Sequence, residues 1–386
     1  MDILELEIER LIWRGRGLAR MPSGKVVIVE PGVFPGERIT ATVTASKRDY
    51  LQARWVEILR AHPKRRPHPC SLAASCGGCR FGWLPHSEQV PLKREVVQRE
   101  LIRALPPTFR SQVPALEDLP TPKAWRYRWR GQVHVHQGQP CVMAHMGHEP
   151  LPCTDCLLFA APLSSHLQDI CADLPEGRVI LAASPRTGQV APEGSDLDLA
   201  LPLPEFGMDL HIPPAVFFQA NWSGNQDLVR TVSDYVPKNW PVIDLYSGAG
   251  NFALPLAGRG HQVLALEADP RAVGAGRKNA RRLGLSHVSF VQHNLQQKPF
   301  QHLVQDFQPQ AAIIDPPRTG GGRRLAEALD LPGLQRLIWV SCDVVNTCRD
   351  VVPFLDKGWE IGQILLLDLF PQTWHVETLF ILDRAG

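Results

Sequence analysis

Two residues in the last fifth of the chain could do covalent chemistry together. Cys342 stands in Val340-Ser341-Cys342-Asp343, closing an apolar run that reads as a strand, and Glu377 stands in His375-Val376-Glu377, just before the last such run. In an open α/β sheet, the carboxyl ends of strands are where reactive groups gather. A thiolate paired with a carboxylate suits reaction at a ring carbon that is a poor nucleophile by itself. Thiolate attack on C6 of a uracil makes an enolate, and the enolate makes C5 nucleophilic. A base then removes the C5 proton so that the thiolate can leave. Cys342 is the candidate nucleophile and Glu377 the candidate base. Without its context, Cys342 would read as a small buried hydrophobe.

The context points to a nucleoside-like cofactor. Asp244-Leu245-Tyr246-Ser247-Gly248-Ala249-Gly250-Asn251 follows an apolar strand and opens a helix. Glycines there let a ligand approach the backbone. Glu267 ends the next strand, where a carboxylate can bind ribose hydroxyls. No third glycine completes a dinucleotide fingerprint and no Gly-Lys-Ser/Thr is present, so a ligand without pyrophosphate is expected. S-adenosylmethionine fits. Asp315-Pro316-Pro317-Arg318 ends another strand and forms a rigid polar lip on the same crevice. Related lips in amino-group methyltransferases end in an aromatic residue. Arg318 in that place argues against methylation of an exocyclic amine.

A second cluster is built on sulfur. Cys70, Cys76 and Cys79 fall within ten residues, with glycines at 77 and 78, and Cys153 or Cys156 is a plausible fourth member. Four thiolates suit a cubane iron–sulfur cluster or zinc, and spacing does not separate the two. In an intracellular chain, clustered cysteines more often mean metal or catalysis than disulfides.

The elements that must carry these residues change character along the chain. Residues 3–60 alternate apolar and polar in short stretches separated by Pro-Gly turns, which predicts a small barrel of the oligonucleotide-binding style over 1–60. A helix is expected over Ser87–Ala104. The proline-punctuated stretch over 61–212 reads as a mixed α/β central domain. Within it, Trp125-Arg126-Tyr127-Arg128-Trp129-Arg130 reads as a strand with aromatics on one face and arginines on the other. That strand is either a stacking platform for single-stranded RNA or a half-buried core strand. From 213 to 386, strands at Val242–Leu245, Val263–Glu267, Val288–Val291, Ala311–Ile314, Leu337–Ser341, Ile361–Asp368 and Thr378–Leu382 alternate with helices. This predicts a doubly wound, mostly parallel, Rossmann-like sheet.

Charge supports a polyanionic partner. Between Lys47 and Arg130 there are 17 Lys/Arg against 7 Asp/Glu, in a chain whose net charge is only +2. No long apolar run and no signal-peptide pattern is found, so a soluble, cytoplasmic protein without membrane contact is expected.

Taken together these motifs resemble the bacterial RNA (uracil-5-)methyltransferases that carry an N-terminal TRAM domain and an iron–sulfur cluster. The likeness spans essentially the whole chain. It rests on Gly15-Arg16-Gly17-Leu18-Ala19-Arg20, Pro31-Gly32 and Pro35-Gly36-Glu37, and on the three-cysteine run. It rests further on Phe217-Phe218-Gln219-Ala220-Asn221, the 244–251 loop, the Asp315 lip, Ser341-Cys342, and Phe370-Pro371 leading to Glu377. The resemblance implies Cys342 as nucleophile and Glu377 as base. It implies Gln219, Tyr246, Asn251, Glu267, Asn294 and Asp315 as contacts of S-adenosylmethionine. It also implies Cys70, Cys76, Cys79 and Cys156 as ligands of a [4Fe-4S] cluster, Cys156 being favoured over Cys153 by the Leu157-Leu158 that follows. The RNA expected is ribosomal, 23S in particular, with a transfer-RNA uridine as the alternative, and the protein is expected to be a monomer. A cytosine-5 RNA methyltransferase is disfavoured because no cysteine stands in the Pro-Pro motif. A non-catalytic RNA-binding protein is disfavoured by the intact Cys342 and Glu377. The chain departs from the family in Asp343-Val344, where Asn-Pro is usual, in the shortened Thr347-Cys348-Arg349-Asp350, and in Tyr127-Arg128-Trp129-Arg130.

Overall fold

The computed structural model describes residues 3–119, 123–145, 147, 149–322 and 324–385, which form two compact units. One unit holds Met1–Glu100 with Ala144–His148 and Phe370–His375; the other holds Leu101–Met143, Glu149–Leu369 and Val376–Gly386.

The first unit is built on six short strands: β1 (Ile3–Glu7), β2 (Arg10–Ile12), β3 (Arg16–Arg20), β4 (Val26–Val29), β5 (Arg38–Ser46) and β6 (Tyr50–Arg60). They form one curled sheet in the order β1-β5-β6-β4-β3-β2, antiparallel throughout except for β4 with β6. The two-residue period does the sorting: Val27 and Val29 of β4, and Ile39 and Ala41 of β5, point into a core shared with Leu6, Ile8 and Val33. Burying such an aliphatic side chain is worth roughly 1.5–3 kcal/mol. The turn before β5 is pinned by Glu37, whose buried carboxylate accepts from the Phe34 N–H at 2.9 Å and from Arg65 Nε at 2.6 Å. Residues 61–84 then run as turns, and helix α1 (His86–Ala104) follows. Gln89 of α1 donates to the Gln372 side chain at 2.8 Å and accepts the Gln372 N–H at 2.8 Å.

The second unit opens with α2 (Pro107–Arg110) and β7 (Leu116–Leu119). An antiparallel five-stranded sheet follows, made of β8 (Arg130–His136), β9 (Gln139–Met143), β10 (Pro150–Pro152), β11 (Gly177–Ala183) and β12 (Val190–Pro192) in the order β10-β9-β8-β11-β12. Short helices α3 (Ala161–Ser165) and α4 (Leu167–Ala172) pack Leu163, Leu167 and Cys171 against its Val133, Val135 and Leu181. The hairpin β13 (Leu199–Leu203) and β14 (Met208–Ile212) leads into α5 (Trp222–Asp234).

From there strand and helix alternate: β15 (Val242–Leu245), α6 (Ala253–Gly258), β16 (Val263–Glu267), α7 (Pro270–Arg282), β17 (Val288–Gln292), α8 (Gln301–Phe307), β18 (Ala311–Ile314), α9 (Arg324–Ala328), β19 (Arg336–Ser341), α10 (Val344–Leu355), β20 (Trp359–Leu367) and β21 (Glu377–Arg384). The sheet order is β17-β16-β15-β18-β19-β21-β20-β7. Strands β15 to β19 are parallel, and β21 inserts antiparallel between β19 and β20. Order reverses at β15, so the crevice beyond the carboxyl ends of β15 and β18 is the topological switch point. β15 and β18 are buried along their whole length, as strands covered on both faces must be. β7, drawn from far earlier in the chain, extends the edge by pairing parallel with β20.

The expected strand of alternating aromatics and arginines over 125–130 does not form. Only Arg130 belongs to a strand. Arg126 sits at φ 57° and its guanidinium grips Asp155 at 2.5 and 2.8 Å, which breaks the extended run. The backbone pairs instead with residues 157–160, and Tyr127 is buried. Trp129 packs against the core of the five-stranded sheet, so the two faces that alternation implied do not exist.

Candidate active site

The loop after β15 is shaped for a ligand. Tyr246, Gly248 and Gly250 all take positive φ, at 62°, 55° and 94°. A non-glycine residue there is strained, and such strain concentrates at functional loops. A Cβ on Gly248 would meet nothing within 4 Å, so its face of the loop is open. Gly250 is the reverse case: a Cβ would press on Phe290 at 2.7 Å and Leu254 at 2.8 Å. Asp244, fully buried on β15, accepts the Ala253 N–H at 3.0 Å through one oxygen, and its other oxygen is unpaired among the described residues. Burial, and next the charge of Asp315, push its carboxyl well above the ordinary carboxylate range.

A cleft of about 420 Å³ opens on this loop. Four of the six expected cofactor contacts line it: Gln219, Tyr246, Asn251 and Asp315. Glu267, at the end of β16, supports it from the side. One carboxylate oxygen accepts the Gly248 N–H at 2.9 Å and the other accepts the N–H groups of Ala268 and Asp269 at 2.7 and 2.8 Å. Asn251 accepts from Asn225 Nδ2 of α5 at 2.8 Å and donates back to Asn225 Oδ1 at 3.0 Å. Asn225 escaped the sequence reading, although it follows Asn221 by one helical turn. Asn294 stands apart: it does not line the cleft, and its side-chain oxygen accepts from the Gln296 and Gln297 N–H groups of its own turn.

The open glycine face, the acidic residue at the next strand end and the unpaired buried carboxylate oxygen fit a cationic nucleoside such as S-adenosylmethionine. Among the described cleft residues none is cationic.

Cys342 follows β19 directly and lines a smaller cleft of about 180 Å³ with Pro316, Pro317 and Arg318 of the lip. Glu377 is the first residue of β21. The antiparallel ladder ends at the pair Ser341 and Thr378, so Cys342 leaves β19 one residue beyond it and Glu377 enters β21 one residue before it, close enough for its charge to act on the thiol. Burial, then Glu377, pushes the Cys342 thiol up to about 12, while Arg318 acts in the opposite sense. Burial, then Asp315, holds the Glu377 carboxyl well above its usual range. Asp315, half-buried at the cleft wall, is raised to about 7 by desolvation.

Helix α10 holds the lip. Asp343 is its N-cap, accepting from Val345 and Asn346 N–H groups at 3.1 Å. Asn346 Nδ2 donates to the Arg318 carbonyl at 2.8 Å, Arg349 Nη2 to the Thr319 carbonyl at 3.0 Å, and Asp350 accepts the Gly321 N–H at 2.7 Å. Residues 346, 349 and 350 share one helical face, a spacing visible in the sequence though not used there.

The sulfur residues divide between the units. Cys70, Cys76 and Cys79 are half-buried on one run of turns in the first unit. His68 ties that run together: its Nδ1 accepts the Cys70 N–H at 3.0 Å and its Nε2 donates to the Cys79 carbonyl at 3.2 Å, the tautomer this pairing requires. Arg80, 4% exposed, donates to the Pro31 carbonyl at 2.6 and 3.0 Å and to that of Ala73 at 3.4 Å, pinning the run to the barrel. Cys156 belongs to the second unit, where a hydrogen bond with Cys153 draws its thiol down to about 6. Thiols of this kind suit a soft metal, but among the described residues no three His, Cys, Asp or Glu side chains converge on a metal-sized site. No described helix is long and apolar enough to cross a membrane.

Sheet order, glycine loop and acidic strand end define a Rossmann-like methyltransferase domain that uses S-adenosylmethionine, preceded by an OB-like barrel. The family model described as tRNA (Uracil-5-)-methyltransferase matches residues 196–385, and that of the TRAM domain matches residues 2–56. The 23S rRNA (uracil(1939)-C(5))-methyltransferase RlmD of Chromohalobacter salexigens is 30% identical over 428 residues, covering 98% of this chain and 89% of its own. An uncharacterized RNA methyltransferase of Bdellovibrio bacteriovorus is 28% identical over 97% of this chain and 94% of its own. The crystal structure of Pyrococcus abyssi tRNA (uracil-54, C5)-methyltransferase in complex with S-adenosyl-L-homocysteine shares the fold, with TM-score 0.75 and 21% identity over 98% of this chain and 100% of that one. The chain belongs to the RNA (uracil-5-)methyltransferase family with a TRAM domain.

Proposed function

We propose that this enzyme methylates C5 of a uridine in 23S ribosomal RNA, with Cys342 as nucleophile and Glu377 as base. The observation that carries the mechanism is the end of the β19–β21 ladder at Ser341 and Thr378, which leaves Cys342 at the lip and Glu377 near enough for its charge to act on the thiol. Cys342 Sγ adds to C6 of the uracil and the ring becomes an enolate. S-adenosylmethionine supplies the methyl group that C5 takes. Glu377 accepts the C5 proton, the C5–C6 double bond re-forms and the Cys342 thiolate departs. Burial raises both groups, the Cys342 thiol to about 12, and each acts only in its deprotonated form. Gln219, Tyr246, Asn251, Glu267, Asn294 and Asp315 are assigned to the cofactor side.

Ribosomal RNA is favoured by the activity named for the Chromohalobacter relative. We assign Cys70, Cys76, Cys79 and Cys156 to a [4Fe-4S] cluster on the chemistry of the donor set: three thiols in one short run, and a fourth of lowered pKa. The cluster would be structural or RNA-positioning, since the methyl transfer moves no electrons between centres. Residues 1–60, 61–212 and 213–386 would act as RNA-binding barrel, cluster-bearing segment and catalytic domain of a cytoplasmic monomer.

The test is methyl transfer by anaerobically purified protein to ribosomal and transfer RNA from cells lacking this gene, followed by nucleoside mapping. One new 5-methyluridine in 23S rRNA supports the reading. The same product in transfer RNA moves the substrate, and 5-methylcytidine overturns the uracil assignment. Iron and acid-labile sulfide near four each per chain support the cluster; zinc in their place refutes it.

A further inference from the structure

A second opening adjoins the nucleophile. A cleft of about 890 Å³ is walled by Leu295 and Gln296 after β17, and by Thr319, the Gly320–Gly322 run and Arg324 beyond the lip. Gly320 also lines the cleft of Cys342, so the two openings share a wall. Much of that space is open to solvent; the part that admits a water-sized sphere, about 510 Å³, falls in the roughly 300–1,000 Å³ range of sites that enclose a small ligand.

Its chemistry is one-sided. No carboxylate is among the described lining residues. The nearby Asp350 is already engaged, by the Gly321 N–H at 2.7 Å and by Arg349 Nε at 2.8 Å. Arg324 is exposed and donates from Nη1 to the Gln297 carbonyl at 3.2 Å, a neutral partner, and no carboxylate pairs with it among the described residues. Arg318, on the wall of the adjoining Cys342 cleft, is exposed and has no hydrogen bond or ion pair from its guanidinium among the described residues. A Cβ on Gly322, at φ 80°, would meet nothing within 4 Å, so that stretch of wall is bare backbone. A guanidinium with no carboxylate partner among the described residues, beside a bare wall, suits a phosphate joined to a flat base or sugar.

We propose that this cleft receives the nucleotide adjoining the target uridine, with Arg324 on its phosphate. The assignment rests on the reading of the chain as an RNA uridine methyltransferase. Phosphate contacts of this kind set register: they place the RNA strand so that one uracil enters the neighbouring cleft. The test compares the parent with Arg324→Gln, Arg324→Lys and Gln296→Glu. The last adds a negative charge at nearly constant shape. Binding of an unmodified 23S rRNA transcript is measured across salt concentrations, beside kcat, KM and S-adenosylmethionine affinity.

Arg324→Gln is expected to weaken RNA binding about 3- to 10-fold and to lower the salt slope by about 0.7 to 1, as loss of one phosphate contact does. Gln296→Glu is expected to weaken binding similarly, and Arg324→Lys to keep most of it. Cofactor affinity and kcat should stay within about 2-fold of the parent. Unchanged RNA binding and salt slope in both Arg324→Gln and Gln296→Glu, with cofactor binding intact, overturn the assignment. So does a loss confined to cofactor affinity, which would give the cleft to the cofactor. A parent that forms no 5-methyluridine counts against the uridine reading, and the binding series still decides the cleft.

Discussion

The Thr378 hydroxyl donates to the Ser341 carbonyl at 3.3 Å, one residue from Glu377 on one strand and one residue from Cys342 on the other. This bond fixes the register of β21 against β19 at the end of the ladder, beside the candidate nucleophile and base. A slip of one residue would turn Glu377 to the opposite face of the sheet. Thr378→Val is therefore expected to lower kcat about 10-fold with cofactor affinity unchanged. Steady-state methylation alongside calorimetric titration of S-adenosylmethionine checks it.

Cys342→Ala should abolish methyl transfer, by more than 10³-fold, and leave S-adenosylmethionine affinity within about 3-fold. Glu377→Gln should instead stall after addition, so that the protein accumulates bound to RNA and resists denaturing electrophoresis. Full activity in the Cys342 variant would defeat the covalent mechanism.

The pH–rate profile follows from burial. Cys342 is raised to about 12 and Glu377 is raised as well, and both must be deprotonated to act. Log kcat/KM should climb with pH from 6 to 9 without reaching a plateau. A rate flat across that span would show that neither proton matters to turnover.

Stability should move the other way. Asp315 has a folded pKa of about 7, above its ordinary value of 3.8, so the folded state holds its proton more tightly than the unfolded chain does. Its contribution is fully present below pH 3.8 and is lost as pH rises through 7. The melting temperature of the ligand-free protein should fall over this window, and Asp315→Asn should flatten the fall. Differential scanning fluorimetry from pH 5 to 8 reads it.

Gly320→Ala tests the lip. Gly320 has φ 88°, and an added Cβ would lie 2.3 Å from the Asp350 carboxylate that holds Gly321. A loss of about 1–3 kcal/mol is expected, with kcat falling more than cofactor affinity. Chemical denaturation and kinetics check the two parts.

Much of the catalytic domain could be read from the chain because its signals are local. Strands β15, β16 and β18 fall on the expected residues, since runs such as Val242–Leu245 are buried on both faces and bounded by glycine or acidic turns. The change from Asn-Pro to Asp343-Val344 is also intelligible now: aspartate caps α10 as asparagine would, and valine takes the first helical position in place of proline. What could not be read is set by distant partners. Arg126 leaves the extended path because Asp155 is there to grip it. β7 looks like nothing in particular until β20 offers it an edge.

That edge, and the bonds between Gln89 and Gln372, impose an order on synthesis. The N-terminal unit contains Phe370–His375, and Gln89 waits for a partner 283 residues downstream. β7 likewise waits for Ile364–Leu367. On the ribosome, then, the barrel can curl early, but neither unit can be finished until the last strands emerge. A chain stalled or cut before residue 364 would leave β7 as an unpaired edge and α1 with buried polar groups unsatisfied, so truncated products should be marked by aggregation rather than by partial activity.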